Sequence, residues 1–464
     1  MESSDRDNSR INSIWQRMLN LEGDKVILII ILLLILISFL AIFSSTPLLP
    51  AQSSRLATMK DHGIVVFLGI AVMFILYHFN IKWIKKLSQW GFLLSFVMLV
   101  MLLCRIDLGF IKTQTINGAL RNFIVAGYQI HVFEVVKVAM VLYLSWAMTA
   151  IDEDKAAMKE GRKSDTLSFA NWLGTHPSLA FLKKTLWKRI LYVYLPSIII
   201  CLLIFPGSGS SAIFVGAIMI AAMFIGGVPF KELAIAGLIG VAGLGSMLAI
   251  YKISDGQLMK RAGTIISRMK VEYDMDRLEG LSGDKFYNML DTLRQPVSAK
   301  IAVHEGRLLG KGIGNSTQKY KVENIYGDYM YSFIIEEYGM AGGILVLILY
   351  ISLLARSVII SRMSDDHFAR LAVGSLAILI TGQAFMHMLV NVDIIPMTGQ
   401  TLPLISDGAS AFLVSCLAFG IILSISRMAK KKIQTVEESM IEKPQDDIQE
   451  RISILEQIED NLNE

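Results

Sequence analysis

Long apolar blocks constrain this chain more than any other feature of its sequence. Residues 26–48 contain no charged side chain, and similar blocks recur as far as residue 426. About 20 apolar residues in a helix cross the ~30 Å hydrocarbon layer of a membrane. Only 18% of the residues are charged, whereas soluble domains have about one quarter. The sequence therefore predicts a polytopic membrane protein.

The apolar blocks predict about ten transmembrane helices. Helices are expected because backbone groups have no water partners in lipid. The first block has no small-residue cleavage site and is followed by many others, so we interpret it as an anchor and not as a signal peptide. The predicted spans are 25–46, 63–81, 88–104, 131–151, 190–205, 209–228, 232–251, 328–354, 370–391 and 408–426.

The distribution of Lys and Arg predicts the orientation of these spans. Clusters of basic residues follow the second, fourth, eighth and tenth spans, which places those loops and both termini in the cytoplasm. Residues 1–24 then form a cytoplasmic segment, 25–426 the membrane domain and 427–464 a cytoplasmic tail. The tail has apolar residues spaced for one helix face, at 448, 452, 455, 458 and 462. It is either an amphipathic helix or a frayed segment.

Residues 252–327 form the one large loop outside the membrane, and this loop is rich in Lys and Arg. Loops longer than about 60 residues cross the membrane regardless of their charge, so the predicted topology stands. The basic residues are either a solvated face or the contact for an anionic ligand such as a lipid pyrophosphate.

Charged residues inside the spans are costly and usually face a partner or a cavity. Glu134 and Lys137 are spaced i, i+3 and can form an ion pair on one helix face. This pair is either a structural contact between helices or part of a site. The three cysteines lie in or beside apolar blocks without a paired spacing, so we expect neither a disulfide nor a zinc site.

Asp328 lies where the basic outer loop meets the eighth span. It is either an acid stabilised by the N-terminus of a helix or a general base at the mouth of a cavity. In one continuous helix Glu336 would lie about 12 Å deeper, beneath Asp328. The Gly- and Pro-rich stretch 396–408 is either a loop that lines a cavity or a set of simple turns. Nucleotide-binding and hydrolase motifs such as GxxxxGK[ST], HExxH and GxSxG are absent from the sequence.

Four stretches in order along the chain resemble the SEDS family of membrane peptidoglycan polymerases, which includes FtsW and RodA. They are the Gly-Asp-Lys start at 23–25, the segment 118–137, the glycine-rich segment 306–316 with the acidic motif 327–339, and residues 383–427. The start and the segment 399–403 are closer to the FtsW branch.

The resemblance implies an all-α fold of ten transmembrane helices and an inverting glycosyltransferase that polymerises lipid II. Asp328 matches the catalytic aspartate of the family. Matched positions that we predict to bind substrate are Arg121, Glu134, Lys137, Arg261, Arg268, Lys300, Lys311 and Ser406. No metal ligand is predicted, and the participation of a divalent cation stays open.

The chain also departs from the family pattern, because Asn122, His131, Gly207 and Asp407 replace the usual residues. The resemblance further implies a class B penicillin-binding protein and other division proteins as partners, and no nucleic acid. It implies a multi-pass location in the plasma (inner) membrane, with the active site at the outer face and the protein at the division septum. The alternatives are a RodA-type elongation polymerase, a flippase or transporter of lipid-linked precursors, and a weakly active scaffold.

Overall fold

A computed structural model shows a predominantly helical protein. The structure describes residues 22–45, 55–109, 111–116, 119–125, 127–162, 167, 171, 176, 181, 184–254, 284–321 and 325–431. The predicted amphipathic tail and most of the central part of the large outer loop lie outside the described residues.

The apolar helices occur in the order that hydropathy predicts, and together with shorter or more polar helices they form the body of the described chain. They are α1 (Lys25–Ser45), α2 (Arg55–Tyr77), α3 (Ile81–Ser88), α4 (Gly91–Leu103), α5 (Val132–Lys159), α6 (Thr185–Ile204), α7 (Gly209–Ile225), α8 (Phe230–Ile253), α9 (Asp284–Gly306), α10 (Met330–Met363), α11 (His367–Asn391) and α12 (Ala409–Lys431).

Among the described residues, eight helices are long and apolar enough to cross a membrane, or nine if α3 and α4 form one bent span. These two helices meet at 46°. The helix α7 is shorter, but it lies where the sixth span is predicted. The all-α polytopic fold is therefore confirmed, whereas the count of ten spans stays a prediction.

A small antiparallel sheet lies between α4 and α5, where the sequence analysis predicted only a loop. Its strands β1 (Ile111–Ile116), β2 (Ala119–Val125) and β3 (Tyr128–His131) follow one another in the order β1-β2-β3. In the register, Asn122 lies opposite both Gln114 and His131. The last strand leads directly into α5, so the sheet fixes the start of the helix that carries Glu134 and Lys137.

The helix α10 is broken at Gly339, whose backbone has φ 74° and ψ −177°. The glycine-rich segment 306–316 lies against this break: the N–H of Met340 donates to the carbonyl of Arg307 (2.8 Å), and the N–H of Lys311 donates to that of Glu336 (2.9 Å). A side chain at Gly339 would lie 2.2 Å from the carbonyl oxygen of Leu308. The break and the close approach therefore both require glycine.

The stretch between α11 and α12 contains neither helix nor strand, yet several of its residues are buried. Leu402, Leu404 and Ile405 belong to the apolar core together with residues of α1, α10 and α11. Of the two interpretations of 396–408, a loop packed inside the protein fits better than surface turns. Irregular backbone at membrane depth is tolerated where protein surrounds it.

Candidate functional site

Asp328 ends a short helix, Ile325–Asp328, and does not belong to α10. Tyr329 follows with φ −123° and ψ 25°, which is not helical. The continuous helix in which Glu336 would lie beneath Asp328 is therefore interrupted at Tyr329, before α10 begins. Asp328 is half-buried at this junction.

The segment 392–408 holds the backbone that precedes this junction. The hydroxyl of Ser406 donates to the carbonyl of Gly327 (2.8 Å) and accepts from the N–H of Leu402 (3.0 Å). The N–H of Asp407 donates to the carbonyl of Tyr326 (2.8 Å). Ser406, a predicted site residue, therefore acts on the peptide that precedes Asp328.

Lys137 lies at the centre of a buried polar network, with only 3% of its surface exposed. Its ammonium group donates to Glu134 Oε1 (2.7 Å), Gln383 Oε1 (2.7 Å) and Gln400 Oε1 (3.0 Å). The side-chain amide nitrogen of Gln400 in turn donates to the hydroxyl of Ser211 (3.1 Å) on α7. The i, i+3 pair predicted from the sequence is thus present, and it also joins α5, α7 and α11 to the segment 392–408.

Three polar residues on one face of α11 extend this network towards Asp328. Gln383, His387 and Asn391 are spaced four residues apart and therefore share a helix face. Gln383 donates to the carbonyl of Thr401 (3.0 Å), and Nδ1 of His387 contacts the carbonyl of Gln400 (2.7 Å). Asn391 donates to the carbonyl of Asp328 (3.1 Å). A continuous set of hydrogen bonds therefore connects Lys137 to the backbone of Asp328.

A small cavity lies beside the Lys137 network, and its lining includes Glu134, Lys137, Gln383, Pro403 and Ser415. Its volume of about 10 Å³ is near the lower limit for a single water molecule. This cavity is too small for a sugar or a pyrophosphate.

A second charged cluster forms around Glu336 and Glu337 on the N-terminal part of α10. Both carboxylates are buried, with 0% and 1% exposed. Glu336 accepts from Lys311 (2.9 Å) and from the hydroxyl of Ser316 (2.5 Å). Glu337 accepts from the hydroxyl of Ser44 (2.5 Å) and lies 3.9 Å from the ammonium of Lys319. Two acids and two lysines therefore compensate one another where the glycine-rich segment meets α10.

Lys311 also pairs with Glu305, and these contacts change how both groups ionise. Burial opposes the charge on Lys311, but its hydrogen bonds to Glu305 and Glu336 outweigh burial and raise the pKa of its ammonium group. The hydrogen bond from Lys311 in turn lowers the pKa of Glu305. Lys311 is therefore held as a cation by protein carboxylates.

Two of the residues that depart from the family pattern are titratable groups near Asp328 or Glu134. Burial, and then the negative charge of Asp61, raise the pKa of Asp407. Burial also lowers the pKa of His131, with Lys137 and Arg121 adding to this effect and Glu134 opposing it. Both replacements therefore favour the neutral form of their side chains.

The remaining predicted site residues are placed as follows. Arg121 on β2 donates from Nε to the carbonyl of Gly207 (3.3 Å), at the turn before α7. Lys300 on α9 pairs with Asp393 (2.6 Å), two residues after Asn391. Arg261 and Arg268 lie outside the described residues.

The structure thus connects Glu134, Lys137 and Ser406 to the Asp328 junction through the segment 392–408, whereas Lys311 belongs to the second cluster. Gln383, His387 and Asn391 were not predicted as site residues, although their spacing of four residues is visible in the sequence of an apolar span. In the described part of the chain, no three His, Cys, Asp or Glu side chains are grouped closely enough to hold a metal ion.

Comparison with known protein families adds to this geometry. A family model described as "Cell cycle protein", of the FtsW, RodA and SpoVE type, matches residues 24–431. A relative from Hahella chejuensis, named "Probable peptidoglycan glycosyltransferase FtsW", is 27% identical over 401 residues, covering 84% of this chain and 86% of the relative. A relative of the same name from Lactococcus lactis is 26% identical and covers 88% of this chain and 93% of its own. The predicted enzyme class agrees with these names.

Solved structures share the fold at low sequence identity. One comes from work on the "structural coordination of polymerization and crosslinking by a peptidoglycan synthase complex", with a TM-score of 0.61, 18% identity and coverage of 88% of this chain and 98% of that chain. The rod shape determining protein RodA of Thermus thermophilus has a TM-score of 0.54 and 17% identity, covering 87% and 97%. The recognition made from sequence motifs is therefore confirmed: this chain belongs to the FtsW/RodA/SpoVE family of membrane-spanning cell cycle proteins.

Proposed function

We propose that this protein is an inverting glycosyltransferase that joins lipid II units into glycan strands at the outer face of the membrane. The observation that carries the proposal is the placement of Asp328. This half-buried acid ends a short helix, and side chains from the segment 392–408 and from α11 hold its backbone from two sides. Family membership and the names of the relatives support the same chemistry.

In the proposed reaction, Asp328 accepts the proton of the acceptor sugar's hydroxyl. The oxygen of that hydroxyl forms a bond to the anomeric carbon of the lipid-linked donor, from the face opposite the leaving group. The bond between the anomeric carbon and the pyrophosphate oxygen breaks, and polyprenyl pyrophosphate leaves with the bonding electrons. Attack from the opposite face inverts the configuration at the anomeric carbon.

The leaving pyrophosphate gains negative charge, which nearby cations stabilise. Lys300 fits this role best among the described candidates, because its side chain is 44% exposed and pairs with the carboxylate of Asp393, which lies two residues after Asn391. Arg261 and Arg268 of the outer loop stay candidates from the sequence. Lys311 is held by Glu305 and Glu336. We therefore propose that Lys311 stabilises the start of α10 and does not contact the substrate.

Lipid II polymerisation by the purified full chain tests this proposal. We expect Asp328→Asn to lower the polymerisation rate by about 10²–10⁴-fold, the usual contribution of a positioned general base. Asp107→Asn is the matched control, since Asp107 is an exposed acid that accepts a hydrogen bond from Thr113. We expect this variant to retain full activity. Full activity in Asp328→Asn would refute the role of Asp328.

A flippase of lipid-linked precursors is the competing function, and transport of labelled lipid II across vesicles separates the two. We expect polymerisation without flipping, because the relatives are named peptidoglycan glycosyltransferases. We further propose a class B penicillin-binding protein as partner and the division septum as the place of action. The first point is supported by the solved structure that comes from work on a peptidoglycan synthase complex, and the second by the FtsW names of the relatives.

A further inference from the structure

Asn391 is the last residue of α11, and its side-chain amide makes three hydrogen bonds at or near the Asp328 junction. Its amide nitrogen donates to the carbonyl of Asp328 (3.1 Å) and to the carbonyl of His387 (2.8 Å). Its amide oxygen accepts from the backbone N–H of Ser332 (2.9 Å). Only 1% of Asn391 is exposed, so both donors and the acceptor are used inside the protein.

These contacts provide hydrogen-bond partners for backbone groups at the break at Tyr329. The first turn of a helix has N–H groups without partners inside the helix, and a side chain at the N-cap usually accepts from one of them. Tyr329 occupies the N-cap of α10 and makes no such hydrogen bond. The oxygen of Asn391 takes this place from another helix, and its nitrogen holds the last carbonyl of the preceding short helix. One side chain therefore fixes both ends of the turn.

We propose that Asn391 is a positioning residue that sets the direction of the Asp328 carboxylate. It does not touch the reacting atoms in this scheme. Because it holds the carbonyl of Asp328 and the start of α10 at fixed separation, it restricts rotation of the Asp328 backbone. This inference rests on the proposed function, since it assigns Asn391 to the same general base.

Two substitutions of Asn391 test the inference in the full chain with lipid II. Asn391→Asp keeps the accepting oxygen and removes the N–H donors to the carbonyls of Asp328 and His387, whereas Asn391→Ala removes all three bonds. We expect kcat per folded molecule to fall about 10- to 100-fold, the scale of a misplacement near 1 Å, while KM changes by less than about twofold. Thr381→Val is the matched control on α11, because Thr381 is buried and its hydroxyl donates to the carbonyl of Ala377 within the same helix.

A double-mutant cycle with Asp328→Glu separates positioning from general destabilisation. In Asp328→Glu the carboxylate is already displaced, so Asn391→Ala should cost clearly less there than in the wild type. Equal costs in both backgrounds would overturn the inference, as would wild-type kcat in both Asn391 variants. The proposed function fails separately, through an active Asp328→Asn, and so the two failures are distinguishable.

Discussion

Lys137 is a cation inside the protein, and its partners determine what it can do. It contacts one carboxylate and two amide oxygens, on Glu134, Gln383 and Gln400. Removing one member of a buried ion pair leaves an uncompensated charge, which costs more than removing both. Comparing single and double variants in stability and in activity therefore distinguishes the two interpretations of the pair, as a structural contact or as part of a site.

We expect Lys137→Met to destabilise the protein by about 3–5 kcal/mol, because Glu134 stays charged without its partner. The double variant Lys137→Met with Glu134→Gln should recover at least half of the lost thermal stability. We expect it to remain poor in polymerisation, since Gln400 loses the donor that holds the segment 392–408. Thermal unfolding and the lipid II assay measure the two effects. Normal activity in the double variant would show that the ion pair is purely structural.

The sequence predicted this pair but not its partners. The spacing i, i+3 brings Glu134 and Lys137 to one face of any helix. Gln383 and Gln400 are far away along the chain, and only tertiary packing brings them to Lys137. The same limit applies to Lys311: its basic character suggested an anionic ligand, whereas its contacts are with Glu305 and Glu336.

At the scale of elements, α10 and the glycine-rich segment depend on one another. Backbone hydrogen bonds join Arg307 and Leu308 to the residues after the break at Gly339. A side chain at Gly310 would lie 2.2 Å from the carbonyl oxygen of Glu337. Two glycines, one on each segment, therefore permit an approach that any larger residue prevents.

We expect Gly339→Ala to destabilise the protein by at least about 3 kcal/mol, because the new methyl group would meet the carbonyl of Leu308 in a backbone conformation that favours glycine. Differential scanning fluorimetry of the purified protein measures this change. Gly237→Ala is the control, since a side chain there meets nothing within 4 Å; it should leave the melting temperature unchanged or raise it. A melting temperature of Gly339→Ala equal to that of the wild type would show that the break is not required.

Hydropathy predicted the apolar helices well and the elements of the outer loops poorly. A span of about 20 apolar residues is a strong signal, so helices occur at the predicted positions. The strands β1–β3 are short and pair only with one another, and α9 has a low apolar content with Pro296 inside it. The strands are too short to be recognised by their period, and α9 lacks the apolar run that marks a membrane span.

At the scale of the whole molecule, the fold is shared with a family whose named relatives here are FtsW proteins and whose solved neighbours include RodA. Fold similarity at 17–18% identity does not separate division from elongation, because one fold hosts several functions. The proposed division role therefore rests on the FtsW-like sequence, and location in the cell tests it.

We expect a fluorescent fusion of the full chain to concentrate at midcell in dividing cells, because the Gly-Asp-Lys start and the segment 399–403 resemble the FtsW branch and the relatives carry FtsW names. Fluorescence microscopy during growth measures the distribution, and a membrane protein without a role in wall synthesis is the control for uniform labelling. A signal along the side wall would indicate the elongation role instead.

The break at Gly339 also changes where the membrane can lie. Without a break, the 34 residues of α10 would extend for about 51 Å, far more than the ~30 Å of hydrocarbon. The part at 340–363 extends for about 36 Å and is long enough to cross alone. The outer part, with Glu336 and Glu337, then stands above the hydrocarbon layer at the predicted outer face. The sugars and pyrophosphate of a lipid-linked donor would meet Asp328 in this headgroup layer, while the polyprenyl chain stays in the bilayer below.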